Sequence, residues 1–154
     1  ESASPGTRVA VNLSGVDKSE VARGDVLSPP HMLQSTRRFD ANVRVLASAP
    51  RSLRHAAAVL LHTGTTEVGC RVIVLAGDAI EPGHEGWVQL YLERAIAASA
   101  NDRFVLRAPS PAMTIAGGRF VDVAPRKHPR QDAPVSESLY RTAAGGVWHA
   151  GLRQ

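Results

Sequence analysis

Cysteine is almost missing from this sequence. Cys70 is the only one, which excludes an intramolecular disulfide framework and any zinc site built on several thiolates; a reducing, cytosolic setting fits. No run of apolar residues approaches the roughly 20 that a membrane-crossing helix needs, and the N-terminal residues lack a basic stretch followed by an apolar one. The chain therefore reads as soluble and cytoplasmic, with no membrane partner. Lysine is scarce too: Lys18 and Lys127 are the only two among 18 basic residues. Arginine suits planar phosphate contacts, although genomic base composition explains the bias as well. A net charge of +4 and a pI near 10.0 make the chain mildly attractive to phosphate without making it a polybasic tail.

Catalytic signatures are missing as well. A phosphate loop needs Gly-x-x-x-x-Gly-Lys-Ser/Thr, in which backbone N–H groups and the lysine hold the phosphates and the hydroxyl holds magnesium. The nearest approach, Gly64 to Arg71, has neither the lysine nor the hydroxyl and carries Glu67 where phosphate charge would sit. No catalytic residue, cofactor or metal ligand is assigned. His31, His55, His62, His84, His128 and His149 are scattered without a metal-ligand spacing. No Gly-x-Ser-x-Gly elbow exposes a nucleophile. Asn12-Leu13-Ser14 matches a glycosylation acceptor but means nothing without secretion. Arg23-Gly24-Asp25 spells an adhesion tripeptide, yet its glycine is better explained by a tight turn.

What is present is period two. Phe39, Ala41, Val43 and Val45 alternate with Asp40, Asn42 and Arg44, the pattern of a half-buried strand. Similar runs occur at Arg8 to Leu13, Ala57 to His62, Glu67 to Leu75, Gly86 to Leu92, Arg103 to Arg107 and Arg119 to Val123. Turn chemistry separates them at Pro50, Thr63-Gly64, Gly77-Asp78, Glu81-Pro82-Gly83, Asn101-Asp102 and Gly117-Gly118. Many short strands at such spacing predict an all-β barrel or sandwich. The alanine-rich run from Arg94 to Ala100 is too short for a stable helix and reads as a strand end and loop. The core is predicted from Val43, Val45, Val72, Val74, Val88, Leu90, Phe104 and Leu106. Trp87 and Tyr91 fall on the face opposite Val88, Leu90 and Leu92, as a stacking platform for nucleic acid, as the cover of an interdomain or tail contact, or half-buried on the outer barrel surface.

Ser28-Pro29-Pro30 marks a boundary, because adjacent prolines cannot continue a ladder. Residues 1 to 30 supply only two or three strands, too few for an independent unit. They read as the last part of a truncated domain that pairs with missing sequence or packs on the barrel. Residues 37 to 124 form the main unit. From Pro125 the pattern dissolves, and 125 to 154 are expected to be a disordered tail.

The segment Arg8 to Leu27 resembles the end of the second domain of a translational GTPase. The similarity is greatest to the selenocysteine-specific elongation factors, in which an Arg-hydrophobic-Ala-hydrophobic-Asn-Leu strand leads through Gly-Val to Arg-Gly-Asp. Leu61 to Val68, Asn101 to Arg107 and Ser110 to Gly118 resemble, in order, landmarks of that family's third domain. The resemblance implies a six-stranded antiparallel barrel like the third domain of elongation factor Tu, preceded by the last strands of a second barrel. It implies delivery of selenocysteinyl-tRNA by the intact factor, with GTP and Mg on a nucleotide domain outside this chain. Further partners are that domain, the rest of the second domain, the ribosome and an mRNA hairpin. By position in the pattern, Arg8 becomes an aminoacyl-pocket residue, and His62, Thr65, Thr66, Arg107, Thr114, Gly117 and Gly118 become tRNA contacts. For the two glycines a turn with positive φ is an equal explanation. A fragment of another elongation or initiation factor, or a protein-binding barrel, remains the alternative.

Overall fold

The computed structural model describes residues 2–128. Among these described residues eight strands follow one another: β1 Ser35–Val45, β2 Leu53–Arg54, β3 Ala57–Thr63, β4 Thr66–Val74, β5 Ala79–Ile80, β6 Glu85–Ala97, β7 Arg103–Ala108 and β8 Met113–Asp122. Six of them close into an antiparallel barrel in the order β1-β6-β4-β3-β7-β8, with β1 pairing β8 to complete the ring, while β2 and β5 form a small ribbon. Closure removes the free sheet edges that would otherwise invite pairing with other chains.

Alternation decides which residues enter the barrel. On β4, Thr66, Val68, Cys70, Val72 and Val74 are buried, while the residues between them are not. All eight residues predicted for the core are buried. The three phenylalanines of the chain meet inside, with ring centroids 4.4 Å apart for Phe39–Phe120 and 4.8 Å for Phe104–Phe120. Burial pushes the Cys70 thiol up to about 12, so it stays protonated and acts as a small apolar side chain. β6 runs to Ala97 because a register irregularity between Thr36 and Arg38 of β1 lets Ile96 re-enter the core; the run from Arg94 is a strand end and loop, as its short length predicts.

Turns fall where glycine and asparagine place them. Gly64 takes φ 54 at the first position of the two-residue β3–β4 loop, and Asn101 takes φ 70 before β7. Gly117-Gly118 is a correction: both lie inside β8, paired with β1 and β7, and neither has positive φ. The turn is instead at 109–112. At Gly118 a Cβ would collide with the Asn42 carbonyl oxygen and the Phe104 ring, so packing selects the glycine.

Two further expectations change. The strand read at Arg8 to Leu13 does not form, nor does any strand before Ser35; a 3-10 turn at Lys18–Glu20 is the regular element there. A strand needs a ladder partner, and no described residue supplies one. Val9, Val11, Val26 and Leu27 are consequently exposed. Within the tail expected to be disordered, residues 125–128 are held on the barrel: the Pro125 carbonyl accepts a 3.0 Å hydrogen bond from Arg38 Nε, and the Arg126 carbonyl a 2.8 Å bond from Gln89 Nε2. Residues 129 to 154 of that tail lie outside the described residues.

Candidate nucleic-acid interface

The outer face of β3, β7 and β8 gathers most of the polar residues singled out from sequence. Across β3 and β7, Leu60 is paired with Arg107 and His62 with Val105; across β7 and β8, Arg107 is paired with Thr114 and Val105 with Gly117. His62, Arg107, Thr114 and Gly117 therefore share one surface. Gly118 faces inward beneath it, and Arg8 is exposed on the N-terminal segment without a hydrogen bond or ion pair among the described residues.

Among the described residues, two nitrogens on this surface lack partners. His62 Nε2 and Arg107 Nε are both shielded from water and without a hydrogen bond. A buried polar atom left unsatisfied costs roughly 1–3 kcal/mol, so an acceptor that reaches Arg107 Nε, always a donor, gains more than it would at a wet site, and His62 Nε2 behaves alike in the tautomer that carries its proton. His62 Nδ1 lies 3.7 Å from Glu67 Oε2, which orients the ring without satisfying Nε2.

Sequence pattern alone missed two arginines. Arg103 stands directly opposite Arg119 across β7 and β8, and Arg103 and Arg107 lie on the same strand face, four residues apart. Like charges directly opposite in a sheet repel. Among the described residues neither Arg103, Arg107 nor Arg119 has an acidic partner. Parity along β7 signalled the first pair, but the Arg119 neighbour needed the β7–β8 register.

The β3–β4 hairpin has a second use. Arg23 Nε donates to the Thr65 carbonyl at 3.1 Å, and Thr66 Oγ1 donates to the Gly24 carbonyl at 3.1 Å. Ala22 to Asp25 forms a turn closed by Asp25 N to Ala22 O at 3.1 Å, with Gly24 at φ 103 packed on Thr66. The Arg-Gly-Asp tripeptide is thus a docking turn, and Thr66, 5% exposed, lies underneath it. Thr65 remains exposed at the hairpin tip. Trp87 offers no stacking platform: it is buried with Leu75 and Val121 on the outside of the barrel. Tyr91 donates instead to Gln89 Oε1 at 2.7 Å.

Comparison with known proteins decides the family. The description "Selenocysteine-specific elongation factor, beta-barrel domain" matches residues 40–127, and the selenocysteine-specific elongation factor of Desulfomicrobium baculatum is 35% identical over 127 residues. The chain belongs to the selenocysteine-specific elongation factor family. The match takes in 82% of this chain and 20% of that relative, so the chain spans about a fifth of the relative's length. Elongation factor 1-alpha from Archaeoglobus fulgidus and from Methanobrevibacter smithii are each 26% identical, over 82% of this chain and 34% and 35% of their own lengths. What the structure describes is thus a β-barrel domain of a translation elongation factor.

Proposed function

We propose that this barrel is a tRNA-binding part of a factor that delivers selenocysteinyl-tRNA to the ribosome, and that the face of β3, β7 and β8 receives the phosphate backbone of a tRNA stem. Double-stranded RNA offers proteins phosphates and 2′-hydroxyls more than a readable base code. The observation that carries the reading is the pair of unpartnered nitrogens, His62 Nε2 and Arg107 Nε, on adjacent strands of one surface. A phosphate oxygen suits Arg107 Nε, which is always a charged donor, and suits His62 Nε2 when that nitrogen carries the ring proton. Thr65, Thr114 and Gly117 give short side chains and backbone that allow close approach. Thr66 and Gly118 act through the fold rather than by contact.

Residues 1 to 30 belong, in this reading, to a second barrel whose other strands cover the exposed valines. Arg8 there contributes to the aminoacyl pocket, where a selenol, anionic near neutral pH, is told from a serine hydroxyl by charge. GTP and magnesium, and the ribosome and mRNA contacts, belong to the intact cytoplasmic factor. By itself the chain is not expected to take GTP, since it has no phosphate-loop sequence; saturable micromolar binding of a fluorescent GTP analogue would contradict that.

The test of the RNA surface is a titration of the chain with several tRNA species. Arg107→Ala is expected to weaken binding to all of them by a similar factor, as a contact that positions without specifying base sequence does. Unchanged binding would favour a barrel that recognises protein.

A further inference from the structure

Asp40 and Gln89 are register partners on β1 and β6 and point out of the barrel, where strand residues are ordinarily wet. Yet they are 1% and 0% exposed, because the chain after β8 turns back over them. Gln89 holds that strap with both ends of its amide. Its Nε2 donates to Asp40 Oδ1 and to the Arg126 carbonyl, each at 2.8 Å, and its Oε1 accepts from the His128 amide at 3.3 Å as well as from Tyr91. His128 Nε2 lies 2.6 Å from Asp40 Oδ2. None of these groups belongs to the proposed RNA surface, and an interior carboxylate with a ring nitrogen at this distance is costly unless a proton stays between them.

We propose that residues 125–128 are a pH-sensitive latch: closed, they lie on β1 and β6 with one proton held between Asp40 and His128, and at higher pH they lift off Asp40 and Gln89. The surrounding charges bear on this from every side. Arg38, next outward on β1, donates to the Pro125 carbonyl. Tyr91 lies on β6, and Asp122 is the β8 register partner of Asp40. The strap itself brings Arg126, Lys127 and His128. Burial raises the Asp40 carboxyl above its ordinary range, against the lowering by its hydrogen bonds to His128 and Gln89, and Asp122 adds to the rise.

The direction follows from proton counting. The closed latch holds one proton for Asp40 and His128 together, whereas an open, hydrated aspartate and histidine hold two below about 3.9, one from there to about 6.5 and none above it. Removing that proton from the closed state leaves a buried anion beside Asp122. Closure is therefore most favoured between about pH 4 and 6.5 and weakens as pH rises above that range, where the open state has released its last proton and the closed pair still holds one.

Amide hydrogen exchange on the full chain, read at His128 and corrected for the intrinsic pH dependence of exchange, tests this. Where one proton is linked to closure, protection falls by up to about tenfold per pH unit. The wild type is expected to lose at least about tenfold in protection at His128 between pH 5 and 8, with the amides of Val88 and Leu90 unchanged. Asp40→Asn should keep the Gln89 bond and remove the pH dependence. His128→Gln, which lies outside the barrel, serves if the first variant does not fold, and should also flatten the profile. Flat protection in the wild type, or an unaltered slope in whichever variant folds, would overturn the latch.

Discussion

The ring of Phe104 occupies the space that a side chain at residue 118 would need, across the β7–β8 pairing of Phe104 with Gly118. The glycine thus serves the stacked rings of Phe104 and Phe120 rather than a turn.

Gly118→Ala is expected to destabilise the barrel by about 1–3 kcal/mol, the usual effect of forcing extra volume into a packed core. Gly117→Ala should change stability little, since its Cβ would meet only the Phe104 carbonyl oxygen at 3.5 Å and Val105 Cγ1 at 4.0 Å. Denaturant melts of the two variants separate these roles; equal effects would show that the two faces of β8 are assigned wrongly.

Leu90 is fully buried where β6 meets β1 and β4, opposite Phe39 on one side and Val72 on the other. Leu90→Ala should lower stability by about 2–5 kcal/mol, because strands held by pairing on both sides cannot collapse into the vacated space. A negligible shift in the denaturation midpoint would contradict this packing.

Global stability should also carry the signature of Asp40. Its carboxyl has a raised pKa in the folded state, mainly from burial. Its contribution is then fully present below the unfolded value of about 3.9 and is lost as pH rises through the folded value. Subtracting the Asp40→Asn stability profile from the wild-type profile isolates this term. The difference should turn against the wild type as pH rises above about 4; a difference that grows in its favour would contradict the sign.

Much of the barrel was legible because alternation is a direct readout of inside and outside: Phe39, Ala41, Val43 and Val45 on β1, and Val72 and Val74 on β4, face inward as the pattern requires. Less legible was whatever depends on register. Gly117-Gly118 looks like a turn in one dimension, and only the pairing of Gly118 with Val43 and Phe104, which brings the Phe104 ring and the Asn42 carbonyl oxygen against it, explains it. Arg8 to Leu13 has strand alternation but no ladder partner among the described residues, so the pattern alone did not make it a strand here. The buried Asp40 and Gln89 alternate like surface residues; nothing local announces that a segment some forty residues beyond Gln89 will cover them. Of the candidate contacts, family position located His62 and Arg107, whereas the Arg103–Arg119 juxtaposition required the β7–β8 ladder.

The central claim is that β3, β7 and β8 present a phosphate-binding face, and the salt dependence of tRNA binding tests it most directly. Neutralising phosphates releases counterions, so log K should fall linearly with log salt concentration, with a slope near 0.9 for each phosphate contact on a duplex, taking B-DNA as the guide. Arg107→Ala should bind more weakly and reduce that slope by about one. Binding that ignores salt, or a slope identical in wild type and Arg107→Ala, would contradict the account.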